Sequence, residues 1–211
     1  MTKLSICIPN FNRIFFLDNC LNSIKKSSEN SSLKFEVCIS DNNSIDKVEE
    51  VISKYKKFYN IKFSKNSRNL GLGVNILKSV SLASGEYVWI IGNDDLLLEN
   101  TLFKLNELFE LHKDVDFFYI NSFHMDSTLL HKYKFPFDTN NIKKLNLKKF
   151  SKSRTSKKLN FFELINPSLS FDFLLGMFLC IFKKKNWDQN LFIIDEKKIS
   201  DLNVYSTFDN T

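Results

Sequence analysis

The stretch Ser84-Gly85-Glu86-Tyr87-Val88-Trp89-Ile90-Ile91-Gly92-Asn93-Asp94-Asp95 sets an unbroken apolar run, Tyr87 to Ile91, directly before a glycine and two adjacent acids. A short apolar run without alternation reads as a strand buried on both faces. Parallel sheets are built from such strands, joined through crossover helices because tight turns cannot connect them. The flanking sequence has that rhythm. Leu4 to Ile8, Phe35 to Ile39 and Ile61 to Phe63 read as strands upstream, and Val115 to Ile120 as a fifth strand downstream. Between them, Leu17, Cys20, Leu21 and Ile24 fall at i, i+3, i+4, i+7 on one helical face. Val48, Val51, Ile52 and Tyr55 do the same in a second helix, Ile76, Val80 and Ala83 mark a third, and Leu102, Leu105, Leu108, Phe109 and His112 stripe a fourth. The chain is therefore expected to be α/β, a Rossmann-like, mostly parallel sheet with flanking helices.

Composition agrees. Of 211 residues, 43% are hydrophobic, enough for a substantial core, and 22 are Phe. Only 5 are Gly, so each glycine is informative about the backbone. Cys7, Cys20, Cys38 and Cys180 form no CxxC pair and no zinc spacing, and are expected to be reduced thiols, three of them inside apolar runs. Together with the lack of a recognisable leader or an apolar run of spanning length, this makes the cytoplasm the expected location. After Asn121 the periodicity weakens. A late strand is expected over Leu174 to Phe182, and irregular structure over 127–160.

Ligands of open parallel sheets bind beyond the carboxyl ends of the strands. Four of those ends are polar. They are Pro9-Asn10-Phe11-Asn12-Arg13, Ser40-Asp41-Asn42-Asn43-Ser44, Asn66-Ser67-Arg68-Asn69-Leu70-Gly71-Leu72-Gly73 and Gly92-Asn93-Asp94-Asp95. Turn chemistry explains each singly: Asn12 as a helix cap, Asn43 or Ser44 as another, Gly71 and Gly73 as positive-φ positions. Turn chemistry alone does not explain four such patches on one edge. The adjacent carboxylates Asp94 and Asp95 repel each other, and a divalent cation with a preference for oxygen ligands would offset that repulsion.

These segments resemble the family 2 glycosyltransferases, which have the GT-A fold. Ser5 to Arg13 is similar to the family's opening strand and its Pro-x-Tyr-Asn-Arg signature, with Phe11 in place of Tyr. Val37 to Asp46 is similar to its second-strand pattern, with Asn43 where Gly is usual. Asn69-Leu70-Gly71-Leu72-Gly73-Val74-Asn75 and the Gly85-to-Asp95 segment match its third and fourth motifs. The likeness covers about residues 4 to 105, and the Trp-Ile-Ile-Gly-Asn-Asp-Asp form is most similar to bacterial transferases of surface polysaccharide, abequosyltransferase-like members included.

The resemblance implies that Pro9, Asn10, Phe11 and Arg13 line a nucleotide pocket and that Asp41 accepts a hydrogen bond from the base, with Asn42 beside it. Arg68 and Asn69 would lie near base or diphosphate, Asn93 and Asp94 at ribose and metal, and Asp95 on the metal or its waters. Mg2+ or Mn2+ is the implied cofactor. A nucleoside-diphosphate sugar, UDP-linked by preference, is the implied donor, a saccharide or lipid-linked molecule the acceptor, and inversion the expected outcome. Residues 1–125 would form the nucleotide-sugar-binding GT-A core. Residues 126–211 would form an acceptor-side region with a basic loop, incomplete at its C-terminus.

The chain departs from the family at two points. Asn93 stands where many members have Asp, and no Glu-Asp pair of the usual kind offers a catalytic base. Asp209 is the candidate base, with Asp201 and Asp172 as weaker ones. A non-catalytic or truncated nucleotide-sugar-binding module is accordingly the alternative reading. Eight basic residues between Lys143 and Lys158, with no acid among them, read as a solvated loop or as peripheral contact with anionic membrane at its inner face. No nucleic-acid-reading motif accompanies them, so nucleic acid is not an expected partner. His124 and His131 have no evident partner in the sequence, and Trp89 and Trp187 are expected to pack.

Overall fold

The computed structural model describes residues 1–144, 147–149, 158 and 176–190. In chain order these form β1 (Leu4–Asn10), α1 (Ile14–Ser28), β2 (Phe35–Asp41), α2 (Val48–Tyr55), β3 (Asn60–Lys65), α3 (Leu72–Ser81), β4 (Tyr87–Ile90), α4 (Thr101–Leu111) and β5 (Phe117–Tyr119). The later part contributes β6 (Phe123–His124), two 3-10 turns (Ser127–Lys132 and Thr139–Lys144), β7 (Lys148–Lys149), a third 3-10 turn (Met177–Leu179), β8 (Cys180–Lys183) and α5 (Lys184–Asn190).

Six strands form one sheet in the order β3-β2-β1-β4-β8-β5, and β6 pairs with β7 in a separate ribbon. β1, β2, β3 and β4 run parallel, as the apolar runs predict. β8 is antiparallel to both β4 and β5, so it is inserted between the fourth and fifth strands from a distant part of the chain. The sheet is mixed and mostly parallel, with helices on both faces, as expected from the sequence.

The strands sort their residues by face. Leu4, Ile6 and Ile8 of β1 pack with Leu17, Cys20, Leu21 and Ile24 of α1, Val48 and Ile52 of α2, and Leu102, Leu105 and Phe109 of α4. Cys7, Cys38, Val88 and Ile90 point the other way, onto Val80 of α3, Ala83 and the partly buried Trp187 of α5. Each fully buried Leu or Ile in these layers contributes roughly 1.5–3 kcal/mol of transfer free energy. Trp187 stacks on Phe182 with ring centroids 5.3 Å apart, which is the packing role expected of it. Trp89 is buried, and its Nε1 donates to the Phe178 carbonyl at 2.8 Å.

Three local expectations change. Gly73 lies inside α3 and only Gly71 has positive φ, at 82°. Asn12 does not cap α1, and neither Asn43 nor Ser44 caps α2. Instead, Asp46 Oδ2 accepts from the Ile14 N–H at 3.2 Å, so a carboxylate from the second loop supplies the helix start that Pro9 to Arg13 leaves bare. His131, which has no evident partner in the sequence, stacks on Phe15 at 5.0 Å. The cysteines are free thiols, and burial pushes the pKa of Cys7 and Cys20 well up.

Candidate active site

Register alone brings the first three polar strand ends together. Asn10 is the Cα partner of Asp41, Asp41 is the partner of Lys65, and Cys7 is the partner of Ile90 three residues before Asn93. Side chains then tie the ends into one unit. Asn10 Nδ2 donates to Asp41 Oδ1 at 2.9 Å, and Asn10 Oδ1 accepts from Asn93 Nδ2 at 2.7 Å. One buried amide thus links the ends of β2, β1 and β4, and Asp41, Asn10 and Asn93 are 0%, 1% and 6% exposed.

Asp41 is fully engaged within the protein. Its Oδ2 accepts from the Ser44 N–H at 2.9 Å and its Oδ1 from the Ser44 hydroxyl at 2.5 Å. That Asx-type turn needs Asn43 at φ 65°, in the left-handed region where Asn is tolerated and Gly is unstrained. The usual glycine at this position thus has a backbone reason. Asn12, at φ 48°, closes the same turn from outside: its N–H donates to Ser44 Oγ at 2.8 Å and its Oδ1 accepts from the Ile45 N–H at 2.9 Å.

A second set of amides holds the loop after β3. Asn42 Oδ1 accepts from Asn66 Nδ2 at 3.1 Å and from the Leu70 N–H at 2.8 Å, while Asn42 Nδ2 donates to Asn69 Oδ1 at 2.5 Å. Asn75, on α3, accepts from Ser40 Oγ at 2.7 Å and from Asn66 Nδ2 at 3.1 Å, and donates to the Asn10 carbonyl at 3.2 Å. Ser44 and Asn66 fall in the polar strand ends and Asn75 in the third motif, but the sequence assigned none of the three a part in the site. Their signal was the density of Asn and Ser at strand ends, but which amide meets which depends on register.

The acidic pair faces the same rim. Asp94 is exposed, and its Oδ2 meets Arg13 Nη1 at 2.8 Å, with side-chain exposures of 47% and 51%. Asp95 is turned inward and its Oδ2 accepts from the Gly92 N–H at 2.6 Å. Burial raises the Asp95 pKa to about 7, against the lowering effect of the Gly92 hydrogen bond, and the neighbouring Asp94 charge adds to the rise. Gly92 makes room for both acids: a Cβ there would lie 2.5 Å from Asp94 Oδ1 and 3.2 Å from Asp95 Oδ2. The missing side chain leaves a spot onto which one oxygen of each carboxylate converges. Two carboxylates fit a divalent cation that completes its shell with diphosphate oxygens and water. Among the described residues there is no cluster of three or more metal-binding side chains.

A cavity of about 300 Å³ adjoins the acids, with Asp94, Asp95, Trp89, Thr101, His124 and Phe178 in its wall. It extends the rim from the end of β4 toward the β5 and β8 side. The remaining expected residues take separate places. Pro9 is buried in β1, Phe11 is exposed at the rim, and Arg68 and Asn69 are exposed in the loop after β3. Asp209, Asp201 and Asp172 lie outside the described residues, as do Lys152, Arg154 and Lys157 of the basic run. Lys158, at its end, is exposed and pairs with Asp114. No helix among the described residues is long and apolar enough to cross a membrane.

With this geometry in hand, comparison with known proteins gives a consistent result. The profile described as Glycosyl transferase family 2 matches residues 5–169. Abequosyltransferase RfbV of Salmonella typhimurium is 44% identical over 114 residues, covering 53% of this chain and 34% of that protein. An uncharacterized glycosyltransferase of Methanocaldococcus jannaschii, MJ1057, is 33% identical over 153 residues, covering 65% of this chain and 51% of its own length. The match thus spans only a third to a half of these relatives. Among solved structures, S. aureus TarS 1-349 in complex with UDP superposes with a TM-score of 0.63 at 20% identity, over 93% of this chain and 51% of that one. That likeness establishes the GT-A fold.

Proposed function

Because the chain belongs to glycosyl transferase family 2, we propose that it transfers a sugar from a nucleoside-diphosphate sugar to a saccharide or lipid-linked acceptor in the synthesis of surface polysaccharide. The observation that carries this reading is the Asp41–Asn10–Asn93 linkage, which holds the second-strand end and the acidic loop on one rim. A donor lying along that rim would place its base at the β1–β2 side, near Phe11, Asn42 and Asn69, and its diphosphate beside Arg13 and Asp94. UDP is the favoured nucleotide. The abequosyltransferase relative supports a surface-sugar role, and the TarS neighbour binds UDP in its own structure.

Asp94 and Asp95 would hold Mg2+ or Mn2+ over Gly92, and when bound the ion would neutralise charge on the departing nucleoside diphosphate. The chain's own residues do the rest. Asn10, Asn93 and Asn75 fix the rim without reorganisation on binding, and Arg13 adds a guanidinium fork suited to phosphate oxygens. Asp41 acts from within: its filled hydrogen-bond shell sets the shape of the loop that the base would meet. Inversion at the anomeric carbon is the proposed outcome, with Asp209 as the candidate base and the protein working from the cytoplasm, against the inner membrane face.

A panel of nucleoside-diphosphate sugars, assayed for nucleotide release with Mn2+, tests the proposal. Release from one donor in the wild type, reduced at least about 100-fold in Asp94→Asn without loss of folded protein, is expected for loss of one such electrostatic contact. Undiminished release in that variant would remove Asp94 from the reaction. Nucleotide binding with no release of any donor would favour a binding module.

A further inference from the structure

The ion pair between Arg13 and Asp94 sits at the point where cation and diphosphate must meet, and the proposed function does not account for it. Asp94 offers two oxygens. Oδ1 is turned toward the space over Gly92, where it converges with Asp95 Oδ2, and Oδ2 is held by Arg13 Nη1 at 2.8 Å. A cation approaching Asp94 in the free protein therefore meets a carboxylate already neutralised by a guanidinium. The Arg13 side chain is 51% exposed, and its guanidinium also lies over the Phe16 ring at 5.5 Å, a weak cation–π contact at a half-exposed site. An exposed pair of this kind is weak, and it can be exchanged for a better partner. A diphosphate is one, since phosphate oxygens accept both arms of the guanidinium fork.

We propose that Arg13 is a switch that couples donor binding to cation binding: it rests on Asp94 in the free protein and passes to the donor diphosphate, releasing Asp94 for the ion. The inference rests on the donor-site reading above and adds to it a stated order of events. Diphosphate takes Arg13, the freed carboxylate takes the cation, and each ligand raises the affinity for the other. By linkage the factor is the same in both directions. Asn93 reinforces the arrangement. It contributes no charge to the acidic loop, so Asp94 is the exposed carboxylate on which guanidinium and cation compete.

The test uses the full chain, Mn2+ followed through the paramagnetic resonance of the free ion, and UDP followed by calorimetry in excess chelator. Arg13→Gln removes the resident guanidinium. The switch predicts effects of opposite sign in that variant: Mn2+ alone binds tighter by about two- to fivefold, the range an exposed ion pair allows, while UDP without metal binds more weakly. Asp94→Asn gives the mirror image, with Mn2+ binding lost and metal-free UDP binding tighter by a similar factor, because Arg13 is released. Thermal unfolding of both variants checks that they are folded, as expected for substitutions at exposed side chains.

If Arg13→Gln weakens Mn2+ as well as UDP, Arg13 orients Asp94 rather than competing for it, and the switch is wrong. Unchanged metal-free UDP affinity in Asp94→Asn also overturns it. If the wild type binds UDP and Mn2+ but neither variant shows the paired shifts, the donor site stands and only the switch falls. If the wild type binds neither ligand, the donor-site reading fails and takes the switch with it.

Discussion

Asn10→Ala removes the one side chain that bridges the second-strand end and the acidic loop, and the structure sets the size of the loss. Asn10 Nδ2 donates to the Asp41 carboxylate at 2.9 Å, a bond to a charged acceptor and so worth about 1.5–3 kcal/mol. Asn10 Oδ1 accepts from Asn93 Nδ2 at 2.7 Å, and a buried donor left without a partner costs about 1–3 kcal/mol more. Water entering the vacated space would recover part of this, so a net loss of about 3 kcal/mol is expected. With a urea m-value of about 2 kcal/mol/M, the unfolding midpoint should fall by about 1.5 M with the slope unchanged. Arg68→Ala, at an exposed position of the same rim, serves as the control and should move stability by less than about 0.5 kcal/mol. Equal, small effects of the two substitutions would refute the claim that Asn10 holds the rim together. UDP affinity should fall in parallel with stability in Asn10→Ala, because the loops it joins are those a donor would lie along.

Glu36 should make the fold acid-sensitive. Its burial alone would raise its pKa, but the Ser84 N–H, the Ser5 hydroxyl, Lys62 and the Ser84 hydroxyl outweigh that and hold it below the ordinary 4.5. A folded-state pKa below the unfolded one means that the stabilisation is present above about pH 4.5 and is lost as pH falls through the folded value. Urea melts from pH 7 to pH 3 should steepen below pH 4.5 in the wild type and less so in Glu36→Gln; identical profiles would count against the assignment. Tyr55→Phe leaves the buried Asp18 carboxylate without the phenolic hydroxyl that meets it at 2.5 Å, and should cost about 1–3 kcal/mol in the same melts. Gly92→Ala pushes a methyl against Asp94 Oδ1, a mobile side-chain end, and should weaken Mn2+ binding in a folded protein with little change in melting temperature.

Much of the fold was legible because its strands are buried on both faces. The run Tyr87 to Ile91 and the alternation of Leu4, Ile6 and Ile8 against Cys7 reflect two-sided packing directly. The insertion of β8 was not legible as a topology. Ile181 and Phe182 look like any late strand, and their pairing with β4 and β5 depends on a long-range encounter that no local pattern records. The site divides in the same way. Position along the chain was enough to mark Asn10, Asp41, Asn93 and Asp94, because strand ends of a parallel sheet share an edge. The bonding of those residues was not. Asn12 looks like a helix cap, yet Asp46 supplies the acceptor at the start of α1 and Asn12 ties down the second loop. Such exchanges between loops arise only once register has placed them side by side. Glycines were the clearest signals where space rather than φ decides. A Cβ on Gly85 would come within 2.8 Å of the Ser5 backbone nitrogen, so the glycine of the Gly-Glu-Tyr segment marks a close crossing of β1.

The central claim is that β1, β2 and β4 end on one donor-binding rim, with the base at one side and a carboxylate-held cation at the other. Crystals grown with UDP and Mn2+, and measured for anomalous scattering from the manganese, test it most directly. The account predicts a single strong peak beside the Asp94 carboxylate, with diphosphate between it and Arg13 and the uracil lying over the Asn42–Asn69 side. A nucleotide seated elsewhere on the protein, or a manganese peak remote from Asp94, would contradict it.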